Sequence, residues 1–114
     1  MPKKIETELL DNFLVVWDSE QGSGLYRMGY YGKPLGIAKP KIPEFDVPLI
    51  LDLMEGLYLA ETGKIRVYGG PEQNGVSLSR LRRRARRLYD DFDTKYAVYR
   101  DLRGQALIVT PGIK

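Results

Sequence analysis

The sequence predicts an α+β fold: a small mixed, mostly antiparallel sheet packed with about four short helices. Three observations predict it. Apolar runs at 13–17, 49–51 and 107–109 have strand length and are bounded by glycine, proline and acidic residues. Apolar residues spaced by three and four after Ser77 mark an amphipathic helix. Between them, further helical and alternating stretches give the order strand, helix, loop, strand, helix, strand, helix, helix, strand.

Each element has a local reason. Phe13-Leu14-Val15-Val16-Trp17 reads as a strand that ends at the turn Asp18-Ser19-Glu20-Gln21-Gly22. A short helix then starts from Ser23 as N-cap, with Leu25 and Met28 facing inward and Gly32 as its stop. Four prolines in 33–48 exclude helix and predict an extended loop leading to the strand at 49–51. Asp52 with Glu55 is a capping box for the next helix, in which Leu53, Leu57 and Ala60 recur and Gly63 takes the C′ position. Residues 64–68 alternate as a strand with Ile65 and Val67 on one face, and GGPEQNG is a turn.

Ser77 opens the longest helix, whose stripe is Leu78, Leu81, Ala85, Leu88 and Phe92, with arginines on its other faces. Asp90, Asp91 and Asp93 crowd a helix C-terminus, where the backbone dipole disfavours negative charge. A break is therefore expected, with Asp90 or Asp93 capping a second helix from about residue 94 to 103. Its inner stripe is Tyr96, Tyr99 and Leu102, and 107–109 is the final strand.

Composition narrows the chemistry. Apolar residues at 43% and charged residues at 29% describe an ordinary globular chain. No apolar run approaches the roughly 20 residues of a membrane span, and MPKKIETELLDN lacks the apolar core of a signal peptide, so the cytoplasm is the expected location. Cysteine and histidine are both absent. That removes thiol nucleophiles, thiolate metal sites, Ser-His pairs and HExxH sites together. The remaining carboxylates, lysines and tyrosines need large pKa shifts to move protons at pH 7. No catalytic residue, metal site or cofactor is expected within the chain. GGPEQNG has no following Lys-Ser/Thr and is no phosphate loop, and Asp90, Asp91 and Asp93 read as caps.

Charge is the loudest signal. The formal net charge is +3, yet RLRRRARR at 80–87 holds six arginines, leaving the rest near −3. Such a helix can sit over RNA phosphates, and Arg80, Arg83, Arg84 and Arg87 are the candidate contacts. The competing reading is a solvated face, partly neutralised by Asp90 and Asp91, or an interface with another subunit. Tyr26, Tyr30 and Tyr31 beside Arg27 and Lys33 suit either a base-stacking platform or, the favoured reading, core packing with hydroxyls at the rim. Lys33, Lys39 and Lys41 place further charge on the proline-rich loop.

The stretches LYRMGYYGKPL, LILDLMEGLYLAETGKIRVY and FDTKYAVYRDLR…IVTPGIK together resemble the archaeal tRNA-splicing (tRNA-intron) endonucleases. Leu53, Glu55, Leu57, Tyr58, Leu59, Gly63 and Lys64 follow that family's L-x-E-A-L-Y-L-x-x-x-G-K pattern, with Gly56 in the place of its alanine. Phe92, Asp93, Tyr96, Val98, Tyr99, Arg100, Leu102 and Arg103 follow F-D-x-x-Y-x-V-Y-R-x-L-[KR]. Gly112-Ile113-Lys114 falls on the G-F-K of the family's next segment. Two departures stand: Gly104-Gln105-Ala106 replaces the usual E-R-G, and the loop 33–48 is longer than in many members.

The resemblance implies an N-terminal structural and assembly domain over residues 1–91. Residues 92–114 would then be the first helix and strand of a C-terminal nuclease domain. It also implies an oligomeric enzyme that cuts precursor tRNA at a bulge-helix-bulge without metal, leaving a 2′,3′-cyclic phosphate and a 5′-hydroxyl. The family's tyrosine, histidine and lysine lie beyond the G-F-K segment, so no catalytic residue carries over to this chain. The expected role is that of a truncated, processed or split front part. The alternatives are a catalytically silent structural subunit and a general basic RNA-binding module.

Overall fold

The computed structural model describes residues 4–37, 44–70 and 72–105. Ile5, Thr7 and Leu9 alternate with Glu6 and Glu8, and this period of two forms the first strand, β1 (Ile5–Leu10). The apolar patterning does not predict β1, and the structure adds it. A tight turn leads into β2 (Phe13–Val16), antiparallel to β1. After helix α1 (Ser19–Gly29) come the two-residue β3 (Lys33–Pro34) and then β4 (Leu49–Asp52), which pairs antiparallel with β2. Helix α2 (Leu53–Glu61) crosses to β5 (Ile65–Gly69), which runs parallel to β1, and β6 (Asn74–Gly75) closes the far edge. Helices α3 (Leu78–Leu88) and α4 (Phe92–Gly104) follow.

The sheet order is β3-β4-β2-β1-β5-β6. With β1–β5 as its parallel pair, this is the mixed, mostly antiparallel sheet with four helices that the sequence predicts. Register fixes the core. Leu9, Leu14 and Leu51 fall in one cross-strand row, with Ile65, Val67, Val16 and Leu49 on the same face. All four helices pack into that cluster: Leu25 from α1, Leu53 and Leu57 from α2, Leu81 and Ala85 from α3, and Phe92, Tyr96 and Tyr99 from α4.

Local signals account for most helix ends. The capping box is present: Glu55 N–H donates to Asp52 Oδ1 at 2.9 Å, and Asp52 N–H donates to Glu55 Oε1 at 3.2 Å. Ser77 caps α3 by accepting from the Arg80 N–H at 3.2 Å. Four expectations need correction. Helix α1 begins at Ser19 under an Asp18 cap that accepts from the Glu20 and Gln21 N–H groups, so 18–22 is not a turn before a Ser23 cap. Tyr30, in the left-handed region at φ 57°, closes α1 two residues before Gly32. Helix α4 begins at Phe92 after Asp91, which has φ 53° and makes no side-chain cap bond, and neither Asp90 nor Asp93 caps it. Met28, Leu78 and Leu88 are exposed, because the inward stripes narrow to Leu25 in α1 and to Leu81 and Ala85 in α3. The expected strand at 107–109 lies outside the described residues.

Candidate nucleic-acid interface

Helix α3 divides its arginines by face. Leu81 and Ala85 are its buried seam, and no acid occupies its first turn, while Arg86 and Arg87 end it where the dipole favours cations. Three arginines turn toward the protein. Arg82 Nη2 lies 3.1 Å from Glu61 Oε2, Arg84 Nη1 donates to the Asp11 carbonyl at 2.5 Å, and Arg86 Nε lies 3.1 Å from Asp93 Oδ1. The other three, Arg80, Arg83 and Arg87, are exposed, and their side chains make no hydrogen bond or ion pair among the described residues. Positions i, i+3 and i+7 form a single row on a helix, here about 10 Å long, on the side of α3 turned away from Leu81 and Ala85. The structure therefore brings together three of the four predicted contacts and ties the fourth, Arg84, to a loop carbonyl. Asp93, not Asp90 or Asp91, supplies the neutralising charge beside Arg86.

Two polar clusters behind this face have no simple sequence signal. In the first, the Tyr96 hydroxyl donates to Glu61 Oε1. Arg82 and Arg100 flank the Tyr96 ring, with guanidinium carbons 5.5 and 5.7 Å from its centroid, and Arg100 Nη1 lies 3.8 Å from Glu61. One carboxylate on α2 thereby joins α3 and α4. In the second, the buried stripe of α4 continues not through the expected Leu102, which is only half-buried, but through Arg103. Its Nε donates to the Tyr99 hydroxyl at 3.1 Å, its Nη1 to the Gly29 carbonyl at 2.8 Å, and its guanidinium stacks 4.0 Å above Tyr31. This ties α4 to the end of α1.

These clusters are poor proton-transfer sites. Burial, reinforced by the Glu61 bond and charge, pushes the Tyr96 hydroxyl well above its usual range, and burial does the same to Tyr99 and Tyr89. The Glu55 carboxyl is pushed up to about 7, first by burial and then by the Asp52 charge, against the Gly32 and Asp52 N–H groups and Arg103. Both of its oxygens are committed to those N–H groups, at 3.0 and 3.2 Å, so its role is to hold the chain at the start of α2.

The three tyrosines do not form one platform. Tyr31 is buried under Arg103, Tyr30 is exposed, and Tyr26 meets Tyr30 and Phe45 edge-on at 5.2 and 5.7 Å. A shallow groove of about 470 Å³ runs past the start of α3, with an apolar floor of Ile65, Val67 and Val76 and with Lys4 and Arg66 among its lining residues. Among the described residues no three potential metal ligands converge, and no helix is long and apolar enough to cross a membrane.

Fold and site together define a compact α+β domain whose last two helices are bound to its core by arginine–tyrosine–carboxylate clusters and whose outermost helix face is cationic. Residues 5–82 match the family described as "tRNA intron endonuclease, N-terminal domain". The chain belongs to that family. It is 47% identical over 110 residues to a protein named tRNA-splicing endonuclease from Hyperthermus butylicus, covering 96% of this chain and 60% of the relative. Proteins of the same name from Sulfurisphaera tokodaii and Saccharolobus islandicus are 38% and 34% identical, over 94% and 96% of this chain and 59% and 60% of their own lengths. The chain thus spans about three-fifths of the length of these archaeal relatives.

Proposed function

We propose that this chain is the architectural and subunit-assembling N-terminal part of a tRNA-splicing endonuclease that acts on precursor tRNA in the cytoplasm. Residues 1–91 form the structural domain, and residues 92–114 lead into the nuclease domain. The observation that carries the reading is the family match over the sheet, α1, α2 and the start of α3. The way α4 is fixed to that unit through Glu61 and Arg103 supports it. A helix held at both its middle and its end sets the direction in which the following chain departs. Cleavage by 2′-hydroxyl attack needs a base for that hydroxyl, an acid for the leaving 5′-oxygen and a cation for the phosphorane. This chain contributes structure and cations, and the acid and base come from the family's tyrosine, histidine and lysine elsewhere in the enzyme.

The test uses intron-containing precursor tRNA, with this chain alone and with a partner polypeptide carrying that tyrosine, histidine and lysine set. The chain alone should leave the RNA intact. The pair should cut both exon–intron boundaries in the presence of EDTA and release 2′,3′-cyclic phosphate ends. Cleavage by the chain alone, or full cleavage by the partner without it, sinks the proposal.

A further inference from the structure

The six arginines of α3 divide into an anchored set and an outward set, and only the outward set has the form of a ligand surface. Arg82, Arg84 and Arg86 are occupied by Glu61, the Asp11 carbonyl and Asp93. These bonds hold the helix to the body of the protein. Arg80, Arg83 and Arg87 share one row on the opposite side of the helix from the Leu81–Ala85 seam. Cations in such a row repel one another at roughly one-turn spacing, a cost that solvation alone does not require.

We infer that Arg80, Arg83 and Arg87 form a docking row for the backbone phosphates of base-paired RNA. The inference rests on the reading of the chain as part of an RNA-processing enzyme. Guanidinium groups bind phosphate oxygens in a bidentate fork and carry no information about the base. α3 itself carries no aromatic residue, and Tyr89, which caps its end, is buried against Phe92 and offers no face for an unpaired base to stack on. A row of charge on a tethered helix suits an RNA helix, whose phosphates are already held in fixed positions, better than a flexible single strand, which must be ordered on binding. The anchored arginines tie α3 to the body of the protein, so the outward ones project from a fixed backbone.

The experiment compares the chain with a variant carrying Arg80→Gln, Arg83→Gln and Arg87→Gln. Fluorescence anisotropy reads binding to a 20-base-pair RNA duplex and to single-stranded oligouridine of equal length, between 50 and 200 mM salt. All three side chains are exposed, so the variant should fold, and circular dichroism confirms it. Each lost phosphate contact should lower the slope of log K against log salt by about 0.7–0.9, giving a total of about 2–3. The unmodified chain should prefer the duplex, and that preference should collapse in the variant.

Four results overturn the inference. If duplex binding is unchanged in the variant, this row fails while RNA contact elsewhere stands. If the chain binds neither RNA, the RNA-contacting role fails while family membership is untouched. Equal binding to duplex and oligouridine removes the assignment to paired RNA. If the unmodified chain self-associates and the triple variant does not, the row is a protein interface.

Discussion

Gly56 sits where a methyl group has no room. A Cβ added there would lie 1.8 Å from Cδ1 of Leu14, which is fully buried beneath α2. Leu14 would have to leave its rotamer inside a packed core, at a cost of about 1–3 kcal/mol. Alanine returns only about 1 kcal/mol through its better helix propensity. Gly56→Ala should therefore destabilise the chain by up to about 2 kcal/mol in urea denaturation. Shortening the opposing side chain with Leu14→Val should make the double variant less destabilised than the sum of the two single changes. Strict additivity would show that the two residues do not compete for this space. The family's helix pattern carries alanine at this position, so the sequence alone points to a harmless change. Only the strand register, which aims Leu14 at α2, reveals the conflict.

Elements with local signals were legible. Asp52 with Glu55, Ser77, and the alternation of Ile65 and Val67 each act within a few residues, and α2, α3 and β5 follow them closely. Elements fixed by distant contacts were not. Residues 18–22 read as a turn, yet 19–22 are the first turn of α1, because a Cβ on Gly22 would stand only 3.0 Å from Leu49 Cβ and glycine lets the helix approach β4. In β1, Thr7 takes a core position, which hides the apolar alternation, and pairing with β5 across some 60 residues supplies what local pattern lacks. The candidate site divides the same way. The spacing of Arg80, Arg83 and Arg87 is visible in the sequence, whereas the tether of Arg84 to Asp11, 73 residues away, is not. The Glu61 cluster is equally invisible, and it makes a testable claim about how α4 is held. Tyr96→Phe removes a hydroxyl bonded to a carboxylate and should cost about 1.5–3 kcal/mol. Glu61→Gln weakens the pull on Arg82 and Arg100 as well. In a double-mutant cycle the two changes should together cost less than their sum, and amide exchange in α4 should quicken in each. Unchanged exchange in α4 would mean that its aromatic packing alone holds the helix.

At the scale of the whole molecule, Glu55 couples stability to pH. Its carboxyl is buried at the junction of β4, α2 and the turn after α1, where Asp52, Tyr31, Tyr89, Tyr99 and Arg103 supply the surrounding titratable and charged groups. Folding raises it from an ordinary 4.5 to about 7, so the native state holds its proton more tightly than the unfolded chain. For a group raised in this way the stabilising contribution is complete below about pH 4.5. It is lost as pH rises through about 7, and its full size is on the order of 3 kcal/mol. The comparison that isolates Glu55 is between the chain and Glu55→Gln at pH 5 and pH 8. The amide is neutral throughout and should lose this part of the pH dependence. It should also fold less stably at pH 5, because its NH2 faces a backbone N–H where a carboxyl oxygen now accepts. Parallel stability curves for the two proteins would show that Glu55 ionises as readily in the fold as in the unfolded chain. The two backbone bonds and Arg103 would then outweigh burial at this site.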